Sequence, residues 1–122
     1  MPTGKILVVD DEEFIISLLH NGLSEQGFEV VKAANGFDAI LAVEEENPDV
    51  VITDIMMPKL TGLEFLKAMK NNKDTKKIPV ILISALDEAQ MVQEGLSMGA
   101  VDFITKPFKI SEIVGKLRHY LT

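Results

Sequence analysis

Short apolar runs recur along the chain, and each has the length and composition of a β-strand. Four of them are rich in Val and Ile and are bounded by Gly, Pro, Asp or Lys: ILVV (6–9), VVI (50–52), VILI (80–83) and VDFI (101–104). A fifth segment, FEVVKA (28–33), alternates less cleanly and carries Glu29 and Lys32. The pattern therefore predicts five strands.

Between these runs the hydrophobic positions recur with the period of an α-helix. The segment from Leu63 to Met69 places its apolar side chains on one face, and the last segment carries a longer stripe of this kind, formed by Ile110, Ile113, Val114, Leu117 and Leu121. Two pairs are spaced as capping boxes, Thr61 with Glu64 and Asp87 with Gln90, and predict helix starts. Glycines at positions 27 and 99 are placed as residues that follow a helix end.

Strand and helix thus alternate five times, which predicts an α/β fold with a parallel sheet covered on both faces. The runs at 6–9, 50–52 and 80–83 are uninterrupted, as central strands require, whereas the other two carry charges, which edge strands tolerate. Strand order 2-1-3-4-5 satisfies this and is the flavodoxin-like doubly wound (βα)5 pattern. Residues 1–122 are predicted to form one domain.

Composition narrows the classes of function. The chain has 122 residues, 47% of them hydrophobic, and a formal net charge of −7. That charge argues against nucleic acid or an anionic membrane surface as a partner. The absence of cysteine excludes disulfides and thiolate chemistry. No signal peptide and no apolar run of ~18 residues is present, so the expected location is cytoplasmic.

Polar residues stand where the predicted strands end. Strand 1 runs into Asp10 and Asp11, strand 3 into Asp54, strand 4 into Ser84, and strand 5 is followed by Lys106. The carboxyl ends of parallel strands share one edge of a sheet, and ligands bind there. We therefore expect these side chains to converge.

The converging residue types indicate phosphoryl chemistry. Three carboxylates repel one another unless a cation lies among them, and hard oxygen ligands suit Mg²⁺. Lys106 and the Ser84 hydroxyl complete a cradle for phosphoryl oxygens, which leaves Asp54 as the attacking carboxylate. Each residue also has a structural interpretation: acidic residues at strand ends form turns or helix caps, Ser84 can be a helix cap, and Lys106 a solvated loop residue.

Four motifs together resemble the receiver domain of bacterial two-component response regulators, in the form of the chemotaxis-type single-domain receivers. They are VVDDE (8–12), TDIMMPKLTG (53–62), ISA (83–85) and FITKPF (103–108), and they extend along essentially the whole chain. The resemblance implies that Asp54 is the phosphoacceptor and that Asp10, Asp11, Asp54 and the backbone carbonyl of Met56 hold Mg²⁺.

The resemblance also implies the remaining roles at the site. Lys106 would contact the phosphoryl group, and Ser84 and Phe103 would act as the switch residues. The Lys106–Pro107 bond would be cis, which is a minority state for X–Pro bonds. Phe103 has an alternative interpretation as an ordinary core residue of an edge strand.

The function implied is that of a phosphorylation-controlled signalling module and not a turnover enzyme. Its donor would be a sensor histidine kinase or a histidine phosphotransfer protein. The surface of helix 4, strand 5 and helix 5 would act on a downstream protein or an attached output domain, and a phosphorylation-dependent homodimer is a further expectation. Neither nucleic acid nor a membrane would be contacted by this domain.

Two other classes of function remain to be compared. An aspartyl-phosphate phosphatase would carry an acid/base Asp two residues after the nucleophile, where this chain has Met56. A flavin-binding electron carrier would need a Ser/Thr/Gly-rich phosphate loop in place of Asp10, Asp11 and Glu12.

Met56 and Leu86 are predicted to tune the loss of the phosphoryl group. They lie two residues after Asp54 and two after Ser84, at the mouth of the expected site. Neither side chain can orient an attacking water by hydrogen bonding, which favours slow hydrolysis. The alternative is that both residues merely fill their loops.

Overall fold

Each apolar run forms a strand, and the strands make one parallel sheet. The computed structural model describes residues 4–121. The strands are β1 (Lys5–Val9), β2 (Glu29–Ala33), β3 (Val50–Asp54), β4 (Val80–Ser84) and β5 (Asp102–Thr105), and the helices are α1 (Glu13–Glu25), α2 (Gly36–Glu46), α3 (Gly62–Lys70), α4 (Ala89–Ser97) and α5 (Ile110–Leu121). The strand order is β2-β1-β3-β4-β5, which confirms the flavodoxin-like prediction.

The sheet separates two hydrophobic cores because successive side chains of a strand point to opposite faces. Ile6 and Val8 of β1 pack with α1 and α5 on one face. Leu7 and Val9 pack with α2, α3 and α4 on the other. The stripe predicted for the last helix is confirmed, since Ile113, Val114 and Leu117 are buried and Ile110 and Leu121 pack against the same core.

The charged strands lie at the two edges, as the composition predicted. β2 pairs only with β1 and exposes Glu29 and Lys32 to solvent. β5 pairs with β4, and the carboxylate of Asp102 contacts Lys116 Nζ at 3.0 Å. All residues of β3 and β4, the strands that end in Asp54 and Ser84, are buried.

One predicted helix start is confirmed and the other is wrong. Glu64 N–H donates to Thr61 Oγ1 at 3.2 Å, and Thr61 N–H donates to Glu64 Oε1 at 2.9 Å, which is a complete capping box before α3. A 3₁₀ turn over Leu86–Glu88 precedes α4, so Asp87 lies inside a turn instead of capping a helix with Gln90. The capping carboxylate there is Glu88, which accepts the N–H of Ala85 at 2.8 Å.

The two glycines predicted to follow helix ends have positive φ angles of 95° at Gly27 and 114° at Gly99, as expected for that position. Gly62 is required for a different reason. Its N–H donates to Ile55 O at 2.7 Å, and a Cβ there would collide with the carbonyl oxygen of Asp54. The start of α3 is therefore held directly against the end of β3.

Candidate functional site: an acidic cluster at the carboxyl edge of the sheet

The polar residues that end the strands converge as the topology requires. Asp10 follows β1, Asp54 ends β3 and Ser84 ends β4, and these strands are neighbours in the sheet. All three residues are almost inaccessible to solvent, with exposed fractions of 0%, 5% and 2%. Such burial is unusual for the two aspartates and marks this edge as a specialised site.

Three carboxylates meet here. One oxygen each from Asp10, Asp11 and Asp54 can be chosen so that all lie within 4.8 Å of one another. Asp11 is exposed, whereas the other two are buried, so the cluster opens to solvent on the Asp11 side. The distances are short enough for one ion to contact all three residues.

Lys106 supplies the opposing charge. Its Nζ lies 3.6 Å from Asp54 Oδ1 and 3.7 Å from Asp10 Oδ2. It also donates to Glu12 Oε1 at 3.3 Å. The sequence analysis expected Lys106 at this edge of the sheet, but it did not predict Glu12 as a partner, although the acidic run from 10 to 12 was a signal of a third carboxylate nearby.

The backbone around Lys106 fixes this position. The Lys106–Pro107 peptide bond is cis, as the resemblance implied. The N–H of Lys106 donates to the carbonyl of Ser84 at 2.8 Å, which extends the β4–β5 ladder by one bond. This hydrogen bond holds the backbone of Lys106 at the end of β4, and its Nζ lies 3.6 Å from Asp54 Oδ1.

The electrostatics of the site oppose ionisation of its buried acids. Burial, and after it the charge of Asp10, raises the pKa of Asp54 to about 7, although the charge of Lys106 opposes the shift. Burial likewise raises the pKa of Asp10. Burial lowers the pKa of Lys106, but the charges of Asp54 and Asp10 outweigh it and the net shift is upward. The lysine therefore stays charged at neutral pH.

The donor set fits a hard divalent cation. Asp10 Oδ2 is buried and, within the described residues, accepts no hydrogen bond. An unsatisfied buried carboxylate oxygen is costly, and a metal ion removes that cost. Three carboxylates with one open side match the preference of Mg²⁺ for oxygen ligands and retained waters. The cluster could therefore bind a metal ion of this kind.

The residues predicted to lie at the mouth are exposed. Met56 is 46% exposed and Leu86 is 81% exposed. Phe103 is 39% exposed, so its alternative interpretation as a core residue is wrong. It lines a groove of about 110 Å³ together with Ser84, Leu86 and Val92. The roles of the Met56 carbonyl, Met56, Leu86 and Phe103 stay predictions.

The solved structures to which this chain is similar include receiver domains. The chain aligns with the receiver domain of the Francisella response regulator 1452 at 35% identity and a TM-score of 0.87, covering 96% of this chain and 95% of that one. It aligns with the chemotaxis response regulator CheY4 of Vibrio cholerae at 32% identity and a TM-score of 0.88, covering 95% of this chain and 97% of that one.

Across residues 4–121, no helix is both long and apolar enough to cross a bilayer.

Sequence relatives point the same way. The chain is 39% identical to the alkaline phosphatase synthesis transcriptional regulatory protein PhoP of Bacillus subtilis over 117 residues, but it spans only 48% of that protein's length. It is 39% identical over 121 residues to sporulation initiation phosphotransferase F of the same organism, covering 96% of it. The model of the response regulator receiver domain matches residues 6–118. The chain therefore belongs to the response regulator receiver domain family of two-component signal transduction.

Proposed function

We propose that this receiver accepts a phosphoryl group on Asp54 from a sensor histidine kinase or a histidine phosphotransfer protein, in the presence of Mg²⁺. The observation that carries the proposal is the position of the Asp54 carboxylate, which is buried, 3.6 Å from Lys106 Nζ and clustered with two further carboxylates. A structural turn or cap would not require a lysine, two acids and a hydroxyl around one strand end. The module over residues 1–122 would catalyse only its own phosphorylation and dephosphorylation.

Asp54, Lys106 and Ser84 would each have a separate role in the phosphoryl transfer. Oδ of Asp54 attacks the phosphorus, a new O–P bond forms, and the N–P bond of the donor phosphohistidine breaks as its imidazole leaves. Lys106 contacts the transferred group and neutralises part of its charge. The Ser84 hydroxyl donates a hydrogen bond to it.

Mg²⁺ would be held by Asp10, Asp11, Asp54 and the backbone carbonyl of Met56. When bound, it supplies charge neutralisation at the phosphoryl oxygens.

The structural change that phosphorylation causes would begin at the same edge of the sheet. Phosphorylation replaces the carboxylate charge of Asp54 with about two negative charges on the phosphoryl group beside Ser84. Phe103, which lines the neighbouring groove, would change its position with Ser84 and alter the surface of α4, β5 and α5. A downstream protein or an attached output domain would bind that surface, and a phosphorylation-dependent homodimer would use it too.

The test is intact mass after incubation with acetyl phosphate and Mg²⁺. Wild type should gain one phosphoryl group, and Asp54→Asn should gain none, because an amide is a poor nucleophile. Asp74→Asn is the matched control, since Asp74 is an exposed acid in the loop after α3, and it should label like wild type. An unlabelled wild type, or a labelled Asp54→Asn protein, would contradict the assignment.

A further inference from the structure

Glu88 lies beside the site without belonging to the acidic cluster. It is the last residue of the 3₁₀ turn, and its carboxylate accepts the backbone N–H of Ala85 at 2.8 Å. The side chain is half-buried, unlike its neighbour Asp87, which is exposed. The bond therefore places a negative charge directly after the strand end that carries Ser84.

That charge is close to the phosphoacceptor. Ile83 of β4 is the register partner of Asp54 in β3, so Ala85 lies two residues beyond the pairing position at the same edge. Glu88 is also among the groups whose charge raises the pKa of Asp54. The carboxylate bound to Ala85 N–H is therefore within electrostatic reach of the Asp54 oxygens.

An N–H group in this place suits a phosphoryl oxygen. It is fixed by the backbone, it follows the Ser84 hydroxyl, and the carbonyl of Ser84 is bonded to Lys106 N–H at 2.8 Å. Fixed backbone donors that point toward developing negative charge are effective anion ligands. In this structure the Ala85 N–H already donates to the carboxylate of Glu88.

We propose that Glu88 is a positioning residue that occupies the Ala85 N–H in the unphosphorylated protein and must be displaced when the phosphoryl group takes that donor. The proposal rests on the function proposed above. Displacement would release the cap of the 3₁₀ turn at the start of α4, so that phosphorylation would loosen the turn that carries Leu86. The Glu88 carboxylate would thus determine how readily the phosphoryl group enters the site.

Two variants of Glu88 separate the effect of its hydrogen bond to Ala85 N–H from the effect of its charge. Glu88→Ala removes both the acceptor and the charge, whereas Glu88→Gln keeps an acceptor for Ala85 N–H and removes the charge. Beryllofluoride, a phosphoryl analogue, is titrated in the presence of Mg²⁺, and initial labelling by acetyl phosphate is timed. Because a hydrogen bond to a charged group must be broken in wild type, Glu88→Ala should bind the analogue about tenfold more tightly and label correspondingly faster. Glu88→Gln should fall between the two.

Asp87→Ala is the matched control, because it removes the same charge one residue away from an exposed position. It should behave as wild type. Equal affinities for wild type and Glu88→Ala, equal gains in the Ala and Gln variants, or an equal gain in Asp87→Ala would each overturn the proposal.

A second measurement does not depend on the alanine variant folding. In wild type, the amide resonance of Ala85 should move when beryllofluoride binds, and it should already differ in free Glu88→Gln. A resonance unaffected by the analogue would overturn the proposal. Labelling of wild type on Asp54 with no difference among the Glu88 variants would refute this inference alone and leave the phosphoacceptor assignment intact.

Discussion

The role proposed for Asp54 needs a negative charge, but the surroundings of its carboxyl oppose one. Its carboxyl is 5% exposed, and burial together with Asp10 raises its pKa from 3.8 to about 7. The folded protein therefore holds the Asp54 proton more tightly than the unfolded chain. This contribution to stability is complete below about pH 4 and is lost as pH rises toward about 7.

The first prediction is that Asp54→Asn stabilises the metal-free protein at pH 8 but has little effect at pH 4. The shift of roughly three pKa units, at ~1.4 kcal/mol each, sets an upper limit on the order of 4 kcal/mol. Urea unfolding in EDTA, followed by circular dichroism, measures the difference. Asp74→Asn should show no such pH-dependent gain, and equal stability of wild type and Asp54→Asn at pH 8 would contradict the prediction.

Met56 and Leu86 carry a second prediction, about the lifetime of the phosphoryl group. Both side chains are exposed at the mouth, and neither can hold an attacking water in line by hydrogen bonding. Met56→Asn and Leu86→Glu should accelerate decay by up to ~10²-fold, because a polar group can orient that water. Decay is timed by intact mass after the donor is removed.

Met56→Leu is the control for the lifetime measurement, since it retains an apolar side chain of similar size. It should decay at the wild-type rate. Polar variants that decay no faster than wild type would show that these two residues only fill their loops.

Among the helices, α3 begins with a capping box that the sequence predicted. The third prediction is that Thr61→Ala lowers the free energy of unfolding by ~1 kcal/mol, because the N–H of Glu64 loses its acceptor. Thr61→Ser keeps a hydroxyl and should remain near wild type. Urea unfolding checks both variants, and an Ala variant as stable as wild type would mean that water replaces the cap without cost.

The capping box of α3 was predictable because both of its bonds join residues three apart. The start of α4 was not, because Asp87 with Gln90 has the same spacing, yet the turn begins earlier and uses Glu88 on Ala85. The residue that begins the observed turn is Ala85, which has no side-chain acceptor and therefore gives no capping signal in the sequence. The contact between Lys106 and Glu12 was also missed, since it joins residues 94 positions apart through side-chain conformations that no local pattern specifies.

For the molecule as a whole, strand order determined most of what could be predicted. Once the parallel order was fixed, the positions after each strand had to meet at one edge, so Asp10, Asp54, Ser84 and Lys106 could be grouped from the sequence alone. Their burial and the strong shift of the Asp54 pKa could not, because these depend on how closely the loops cover the edge.

The fourth prediction concerns the metal. Mg²⁺ would bind the folded cluster and not the dispersed chain. Millimolar Mg²⁺ should therefore raise the melting temperature by several degrees, the scale expected for a stabilisation of ~2 kcal/mol. Asp11→Ala should remove most of that gain and leave the metal-free protein as stable as wild type or more so, since a repelling charge is lost. KCl at matched ionic strength is the control. Unchanged melting of wild type in Mg²⁺ would refute the metal site.

The central position of β1 has a consequence for the protein during its synthesis. Of the five strands, β1 is synthesised before the others, yet it pairs with β2 and β3 on either side, so it cannot complete its ladders until residue 53 has emerged. The lysine that balances Asp10 and Asp54 arrives last, at position 106. A nascent or truncated chain that ends before β5 therefore contains the Asp54 carboxylate without its counter-charge, and we expect such a chain to accept no phosphoryl group.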